Sequence, residues 1–223
     1  MMLQAINIHK TYSHAAKSLH VLRGINLTID SGEVLSIVGP SGAGKSTLLH
    51  ILGGLDKPSD GRVIFENQEI YGLNDKERAN IRNRKIGFVF QFYHLLPEFS
   101  ALENVMLPAL IKNDMAHRQE VEEQGLKLLG KVGLKQRASH KPYQLSGGEQ
   151  QRVAIARSLI NMPDVIFCDE PTGNLDSKSG EEIIGLLKNL NEENKQTFVI
   201  VTHDDHIANI SKKVLHMRDG QLL

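Results

Sequence analysis

Three short apolar runs along the chain predict the buried strands of a parallel sheet. Each run is followed by a loop and then by apolar residues at helical spacing, as in proteins where helices cover a parallel sheet. The runs are EVLSIVG (33–39), DVIFCDE (164–170) and TFVIVTH (197–203). They indicate an α/β fold with a mainly parallel core sheet.

Three other segments alternate apolar and polar residues, which is typical of strands with one face towards solvent. These segments are LQAINIHK (3–10), INLTID (25–30) and GRVIFEN (61–67). Since antiparallel sheets commonly bury only one face, we expect these strands to form an antiparallel β flank beside the core.

The middle of the chain has a different pattern. Between Gln91 and about Met162 it becomes mainly helical. The prolines expected to break these helices are Pro97, Pro108 and Pro142. We therefore predict a single domain in which a helical subdomain is inserted into the α/β core. The predicted bounds are 91–162 for the helical subdomain, and 1–90 with 163–223 for the core and its flank.

Composition narrows the class of protein. The 223 residues include 26 Lys and Arg against 26 Asp and Glu, so overall charge gives no argument for binding nucleic acid. The basic run KERANIRNRK (76–85) also contains Glu and Asn and has no aromatic residue, which favours a solvated helix face. We expect no nucleic-acid partner.

Neither a signal peptide nor a membrane span is predicted. The N-terminal MMLQAINIHK lacks a basic segment followed by a long apolar one. The longest apolar stretches, such as LLHILGGL, are far shorter than the about 20 residues of a spanning helix. The single cysteine, Cys168, lies in an apolar run, which favours a core position in a reducing compartment. We expect a cytosolic chain that other subunits hold at a membrane if it works there.

A phosphate-binding loop is predicted between the first buried strand and the helix after it. The segment GPSGAGKST (39–47) fits the G-x-x-x-x-G-K-[ST] pattern in its strand–loop–helix context. Lys45 would reach the β- and γ-phosphate oxygens, and the Ser46 hydroxyl would bind Mg²⁺. The predicted nucleotide-binding residues are Gly39, Pro40, Ser41, Gly42, Ala43, Gly44, Lys45, Ser46 and Thr47.

An adjacent pair of carboxylates ends the second buried strand, in VIFCDEPT (165–172). The strand would deliver Asp169 to the carboxyl edge of the sheet, where α/β proteins bind ligands, so Asp169 is a candidate magnesium ligand. Glu170 is a candidate general base for an attacking water. The alternative for Glu170 is a helix-cap or surface carboxylate.

The segment LSGGEQQR (145–152) predicts an unusual helix start. Ser146 and Glu149 form an S-x-x-E capping box before the apolar periodicity of VAIARSLI. Gly147 and Gly148 weaken the first turn by about 1 kcal/mol each relative to alanine. They also leave backbone N–H groups accessible to an anion. No lysine-bearing phosphate loop lies beside this segment, so the residues alone do not identify that anion.

In their order along the chain, these motifs resemble those of ATP-binding cassette (ABC) ATPases, and the resemblance covers essentially the whole chain. It rests on GPSGAGKST, the glutamine after IGFVF, LSGGEQQR, VIFCDEPTGNLD and the histidine that ends TFVIVTH. The resemblance implies a P-loop ATP-binding-cassette fold that binds ATP and Mg²⁺. It also implies a head-to-tail dimer in which Ser146, Gly147, Gly148 and Glu149 of one copy cap the ATP held by the other.

The resemblance assigns further roles by position. Tyr12 would stack on adenine, and Gln91 would contact Mg²⁺ and the water. Asp176 would lie at the dimer interface, and His203 would contact the γ-phosphate as a catalytic residue beside Glu170 and Lys45. From the residues alone, His203 could instead be a satisfied strand-end histidine or form an H-x-x-H metal pair with His206.

Within the family, the resemblance is closest to the ATP-binding subunits of lipoprotein-releasing transporters of Gram-negative bacteria. The segments that carry it are LLHILGGLDKPSDGRVIF (48–65), QFYHLLPEFSALENVMLP (91–108), RASHKP (137–142) and MRDGQL (217–222). It implies a motor that drives lipoprotein release from the cytoplasmic face of the inner membrane. Macrolide or peptide exporters and a cell-division ATPase share most of the pattern and stay open as alternatives.

Two other classes of function fit less well. Soluble relatives that act on DNA or ribosomes usually carry two cassettes or a long coiled-coil insertion, and this chain has neither. A P-loop kinase does not explain LSGGE.

Directly after Gln91, crowded apolar residues predict a surface groove for a helix of an integral-membrane permease, with packing inside the subdomain as the alternative. These residues are Phe92, Tyr93, Leu95, Leu96 and Phe99.

Overall fold

A computed structural model describes residues 1–14, 17–112, 117–208 and 210–223. The chain divides into two compact units. The first unit contains residues 1–82 and 191–223, and the second contains residues 83–190. The helical subdomain over 91–162 and the core over 1–90 and 163–223 stay predictions.

The first unit contains a four-stranded antiparallel sheet. Its strands are β1 (Leu3–His14), β2 (Lys17–Ile29), β4 (Asp60–Phe65) and β5 (Gln68–Glu69). They lie in the order β2-β1-β4-β5, with Leu3 of β1 opposite Ile29 of β2 and Phe65 of β4. The predicted antiparallel flank is therefore confirmed, and its first two strands run further than the alternating pattern indicated.

The same unit contains parallel strands. They are β3 (Val34–Val38), β8 (Thr197–Thr202) and β9 (Lys213–Arg218), and β10 (Gln221–Leu222) is antiparallel to β9. β3 pairs in parallel with β8 and β9. Every residue of β3 and β8 is buried, as their uninterrupted apolar sequences predict.

Among the described residues, three α-helices begin in the first unit. They are α1 (Lys45–Leu52), α2 (Asp75–Lys85) and α7 (Asp205–Ala208). The α1 helix directly follows the phosphate loop, and its apolar side chains are buried. The α2 helix contains the basic run and has no buried residue, so the predicted solvated helix face is confirmed.

The second unit pairs two parallel strands with helices. The strands are β6 (Ile86–Phe90) and β7 (Val165–Asp169). The helices that begin here are α3 (Ala101–Lys112), α4 (Arg118–Lys131), α5 (Gly147–Leu159) and α6 (Ser177–Asn194). Val105, Leu129 and Val153, from three of these helices, are fully buried in one apolar cluster.

The predicted helix break at Pro108 is wrong, because Pro108 lies inside α3. Proline removes one N–H from the helix ladder, which disfavours an interior position. Here α3 buries Val105, Met106 and Ala109 in the apolar cluster, and this packing outweighs the local preference. The Pro108 carbonyl oxygen also accepts hydrogen bonds from the side chains of Asn83 and Asn161. Pro97 and Pro142 do lie between α-helices, as predicted.

Cys168 lies on β7 and is fully buried, as expected of a core residue. Burial raises the pKa of its thiol, and the neighbouring Asp169 charge adds to the increase. Among the described residues, no helix combines the length and the apolar character needed to cross a bilayer.

Candidate functional site

The phosphate loop connects β3 to α1 through backbone conformations that favour glycine. Gly42 and Gly44 have φ angles of 81° and 103°. These values lie in the left-handed region, which residues with a Cβ rarely adopt. A Cβ at Gly42 would meet nothing within 4 Å, so the space over the loop is open there. The loop therefore turns tightly and ends at the start of α1, and the backbone N–H groups of a helix start favour anions.

Lys45, the first residue of α1, is 6% exposed. Its Nζ donates to the carbonyl oxygens of Gly39 at 2.7 Å and Pro40 at 3.2 Å. The ammonium thus lies within the loop, beside the backbone that would cradle phosphates. Ser41 and Ser46 are exposed.

Two further predicted residues belong to the same unit as the loop. Tyr12 lies on β1 with 43% exposure, and its hydroxyl donates to Asp56 Oδ2 at 2.6 Å. His203 directly follows β8 and is exposed. The side chain of His206 lies outside the described residues. Among those described, no group of three or more His, Cys, Asp or Glu side chains could hold a metal ion.

The acidic pair belongs to the second unit. Asp169 is the last residue of β7, and Glu170 follows it. Glu170 has a φ of 47°, an uncommon conformation for a residue other than glycine that is concentrated at functional sites. Its carbonyl oxygen accepts from the Gly173 N–H at 3.0 Å. The chain therefore turns sharply just where the two carboxylates leave the strand.

Gln91 forms a reciprocal pair with Asn174, a residue that the sequence did not single out. The Gln91 side-chain amide donates to Asn174 Oδ1 at 3.2 Å, and the Asn174 amide donates to the Gln91 carbonyl oxygen at 3.0 Å. This pair directs the side-chain oxygen of Gln91, the atom a cation requires, away from Asn174. The two residues are 83 positions apart, so local pattern gives no signal for it.

The α5 helix begins as predicted. The Ser146 hydroxyl accepts from the Glu149 N–H at 3.2 Å, and Glu149 accepts from the Ser146 N–H at 2.8 Å. The backbone N–H of Ser146 is the main cause that lowers the pKa of Glu149, and Arg137 adds to it. Ser146 is exposed and Gly148 is buried. An exposed, capped helix start is a favourable place for an anion.

Asp176 has a structural role that the sequence did not predict. Its carboxylate accepts from the N–H and the hydroxyl of Ser179, at 3.0 and 2.8 Å. The backbone N–H of Ser179 is the main cause that lowers the pKa of Asp176. Asp176 therefore caps the start of α6, whatever it contacts in an assembly.

The segment from Phe92 to Phe99, hereafter the 92–99 loop, exposes apolar side chains. Phe92, Leu96 and Phe99 are 65%, 44% and 37% exposed, whereas Tyr93 and Leu95 are half-buried. Such a group is unusual on a surface that contacts only water.

The 92–99 loop is braced by side chains that sequence reasoning missed. The Arg157 guanidinium, on α5, donates to the carbonyl oxygens of Tyr93 at 2.7 Å and His94 at 2.6 Å. Asn104, on α3, is fully buried and exchanges hydrogen bonds with the Leu96 backbone. The signal available in the sequence was an asparagine among the apolar residues of α3, which could have indicated a buried polar contact.

The candidate Mg²⁺ ligands are Ser46, Gln91 and Asp169. They offer a hydroxyl, an amide oxygen and a carboxylate, which are the hard oxygen donors that Mg²⁺ prefers. Ser46 belongs to the first unit, and Gln91 and Asp169 belong to the second. By donor chemistry the residues present fit this ion.

Comparison with known proteins adds independent information. The family model described as ABC transporter matches residues 22–173. The chain is 50% identical over 222 residues to the lipoprotein-releasing system ATP-binding protein LolD of Porphyromonas gingivalis, covering 100% of this chain and 99% of that protein. It is 53% identical over 206 residues to LolD of Bacteroides fragilis, covering 92% and 94%.

A solved structure is also similar along nearly the whole chain. It is the dimeric post-hydrolysis state of the ATP-binding cassette MJ0796 bound to ADP and Pi. Its TM-score is 0.91 at 46% identity, with 99% of this chain and 96% of that chain covered.

Proposed function

This chain belongs to the ABC transporter family, has its ATP-binding-cassette fold and is an ATPase, and from that premise we propose that it powers lipoprotein release from the inner membrane. The observation that carries the proposal is the 50% identity to a lipoprotein-releasing ATP-binding protein over the full length of both chains. Similarity restricted to the ATP motifs would support only the ATPase activity.

The hydrolytic residues that we propose are those indicated by the sequence motifs and the family resemblance. Lys45 binds the β- and γ-phosphates, and His203 contacts the γ-phosphate. Glu170 accepts a proton from the attacking water, and support comes from its uncommon backbone conformation directly after β7. Ser46, Gln91 and Asp169 would hold Mg²⁺, which would neutralise phosphate charge when bound.

The remaining half of the site is supplied by a second copy of the chain. The exposed start of α5, with Ser146, Gly147, Gly148 and Glu149, binds the γ-phosphate held by the partner's phosphate loop. Support comes from the exposure of Ser146 at this helix start, where backbone N–H groups favour an anion. Asp176 lies at the same interface.

The membrane partners are two integral permease subunits, and the 92–99 loop is their docking place. Its exposed apolar side chains suit a short amphipathic helix. Arg157 joins this loop to α5 through two hydrogen bonds, so displacement of the loop would reach the helix that caps ATP. The chain would then act at the cytoplasmic face of the inner membrane.

The cargo is tested by depleting the protein and following lipoproteins. Retention of newly made lipoproteins in the inner membrane is the expected result. Normal lipoprotein distribution, with sensitivity to a macrolide or a defect in division instead, would contradict the proposal and favour the exporter or cell-division alternative.

Docking is tested with Leu96→Glu and Phe92→Glu. Both side chains are exposed, so the fold and the ATPase activity of the isolated chain should survive. Permease binding or lipoprotein release should fall at least about tenfold, because a charge must be desolvated in an apolar groove. Ile111→Glu is the matched control, since Ile111 is 78% exposed in the same unit but outside the loop. Normal release by both loop variants would exclude this docking place.

A further inference from the structure

Lys10 and Asp56 form an ion pair directly beside Tyr12. Lys10 Nζ lies 2.6 Å from Asp56 Oδ1 and donates to the Lys57 carbonyl oxygen at 2.7 Å. Lys10 is only 8% exposed. A lysine removed from water to this degree requires such acceptors. The burial of Lys10 therefore distinguishes this pair from the ion pairs of an open surface.

The same carboxylate holds Tyr12 by its hydroxyl. One oxygen of Asp56 binds Lys10, and the other accepts from the Tyr12 hydroxyl at 2.6 Å. The Lys10 ammonium also lies 4.7 Å from the centroid of the Tyr12 ring, within the range of a cation–π contact. One face of the ring thus lies against Lys10, and the 43% exposure of Tyr12 leaves ring surface for a ligand.

This arrangement is anchored to α1, the helix that follows the phosphate loop. The Tyr71 hydroxyl is shared between the carbonyl oxygens of Asp56 and Ile51, and Ile51 lies on α1. Burial and the hydrogen bond to Asp56 raise the pKa of Tyr12, and the nearby Thr47 side chain lowers it in part. Thr47 also lies on α1. The Tyr12 ring and the phosphate loop are therefore both connected to α1.

We propose that Lys10 and Asp56 are positioning residues for nucleotide binding, which hold the Tyr12 ring so that its open face stacks on the base while α1 presents the triphosphate site. This inference rests on the proposed role of Tyr12 as the base platform. A ring held in place before ATP arrives loses less conformational entropy on binding. The gain in affinity must then depend on the base and be absent for a ligand without one.

The test compares ATP with ribose 5′-triphosphate, which lacks the base, by calorimetry on the full chain with Mg²⁺. Tyr12→Ala should weaken ATP about tenfold, as expected for the loss of one base–aromatic stack. Asp56→Ala and Tyr12→Phe should each weaken ATP about three- to tenfold, and their combination should be no weaker than Asp56→Ala alone. All of these variants should bind ribose 5′-triphosphate as the wild type does.

Two further variants sharpen the comparison. Glu69→Ala, an exposed glutamate of the same sheet, should change neither affinity. Asp56→Asn replaces Asp56→Ala in the comparison of the two ligands if Asp56→Ala does not fold. The asparagine oxygen is required by Lys10, so the NH₂ group would face the Tyr12 hydroxyl. This group cannot accept the hydroxyl proton but can donate to the hydroxyl oxygen, so a smaller base-dependent loss than that of Asp56→Ala is expected.

The outcomes separate this inference from the role of Tyr12. Unchanged ATP affinity in Tyr12→Ala would show that Tyr12 does not stack on the base, and would overturn the inference as well. Weaker ATP binding in Tyr12→Ala, with normal binding in the Asp56 variants and Tyr12→Phe, would overturn the inference alone. Equal weakening of both ligands by Asp56 substitution would also overturn it, because Asp56 would then serve only the fold.

Discussion

Lys45 is the residue on which the phosphate site depends most directly. Its ammonium lies against the Gly39 and Pro40 carbonyl oxygens, within the loop proposed to bind the phosphates. Lys45→Ala should therefore lower ATP turnover at least about 100-fold, the usual effect of removing one charge-stabilising donor from an active site. A phosphate-release assay measures this, and an unchanged melting temperature shows that the fold is intact.

Lys57→Ala provides the control for the loss of a positive charge. Lys57 is exposed, and only its backbone carbonyl takes part in the contacts described above. This variant should keep wild-type turnover. Wild-type turnover in Lys45→Ala would refute the assignment of the phosphate site.

Cys168 gives a second prediction at the scale of a single residue. Burial raises the pKa of its thiol, so the reactive thiolate is disfavoured in the folded chain at neutral pH. Cys168 should react with a disulfide reagent at least about 100-fold more slowly in the native protein than in denaturant. Fast labelling of the native chain would show that β7 is not the buried strand described here.

At the scale of elements, the start of α5 is packed more tightly than its sequence indicates. A Cβ at Gly147 would lie 2.9 Å from the Tyr93 hydroxyl, and one at Gly148 would lie 3.1 Å from Ser179. Bulk at either glycine would therefore disturb the surroundings of α5 as well as any approaching nucleotide. Ser146 is the better position for a test, since its side chain is exposed.

Ser146→Asp should block hydrolysis while preserving the helix. Aspartate caps a helix about as well as serine, but its charge would repel the γ-phosphate of the partner's ATP. We expect near-normal ATP affinity of the single chain and a loss of turnover of at least about tenfold.

Ser146→Asn is the matched control, because asparagine is an equally good cap without the charge. It should retain more turnover than Ser146→Asp. Equal activity of the two variants would mean that no phosphate approaches the start of α5. Equal loss of ATP affinity in both would mean that Ser146 serves the local fold.

The elements show which features could be predicted from the sequence. The buried strands and the α5 cap depend on residues close in the chain, so spacing alone located them. Pro108 was mispredicted as a break because the packing of α3 outweighs a local preference. The Gln91–Asn174 pair joins residues 83 positions apart, which no periodicity encodes.

The contacts of Lys10 could be predicted from the sequence only in part. It lies two positions after Ile8 on β1, and both side chains are buried. A lysine at a core-facing position of an alternating strand was a readable sign that an acidic partner would be needed. The identity of that partner was not readable, because Asp56 is 46 positions away.

At the scale of the whole molecule, the proposal requires two copies for one complete ATP site. Each chain has a phosphate loop and a capped helix start. We assign the loop of one copy and the helix start of the other copy to opposite sides of the same nucleotide. Hydrolysis by Glu170 would then reopen the dimer. A copy that binds ATP without hydrolysing it should stay paired.

Glu170→Gln provides the most direct measurement of this claim. The amide keeps the shape of the carboxylate but removes the base and one negative charge. In sedimentation with Mg²⁺ and ATP, this variant should shift from the 24.8 kDa monomer to twice that mass. Ser146→Asp added to it should restore the monomer. A Glu170→Gln chain that stays at 24.8 kDa with saturating ATP, or still hydrolyses ATP at the wild-type rate, would contradict the account.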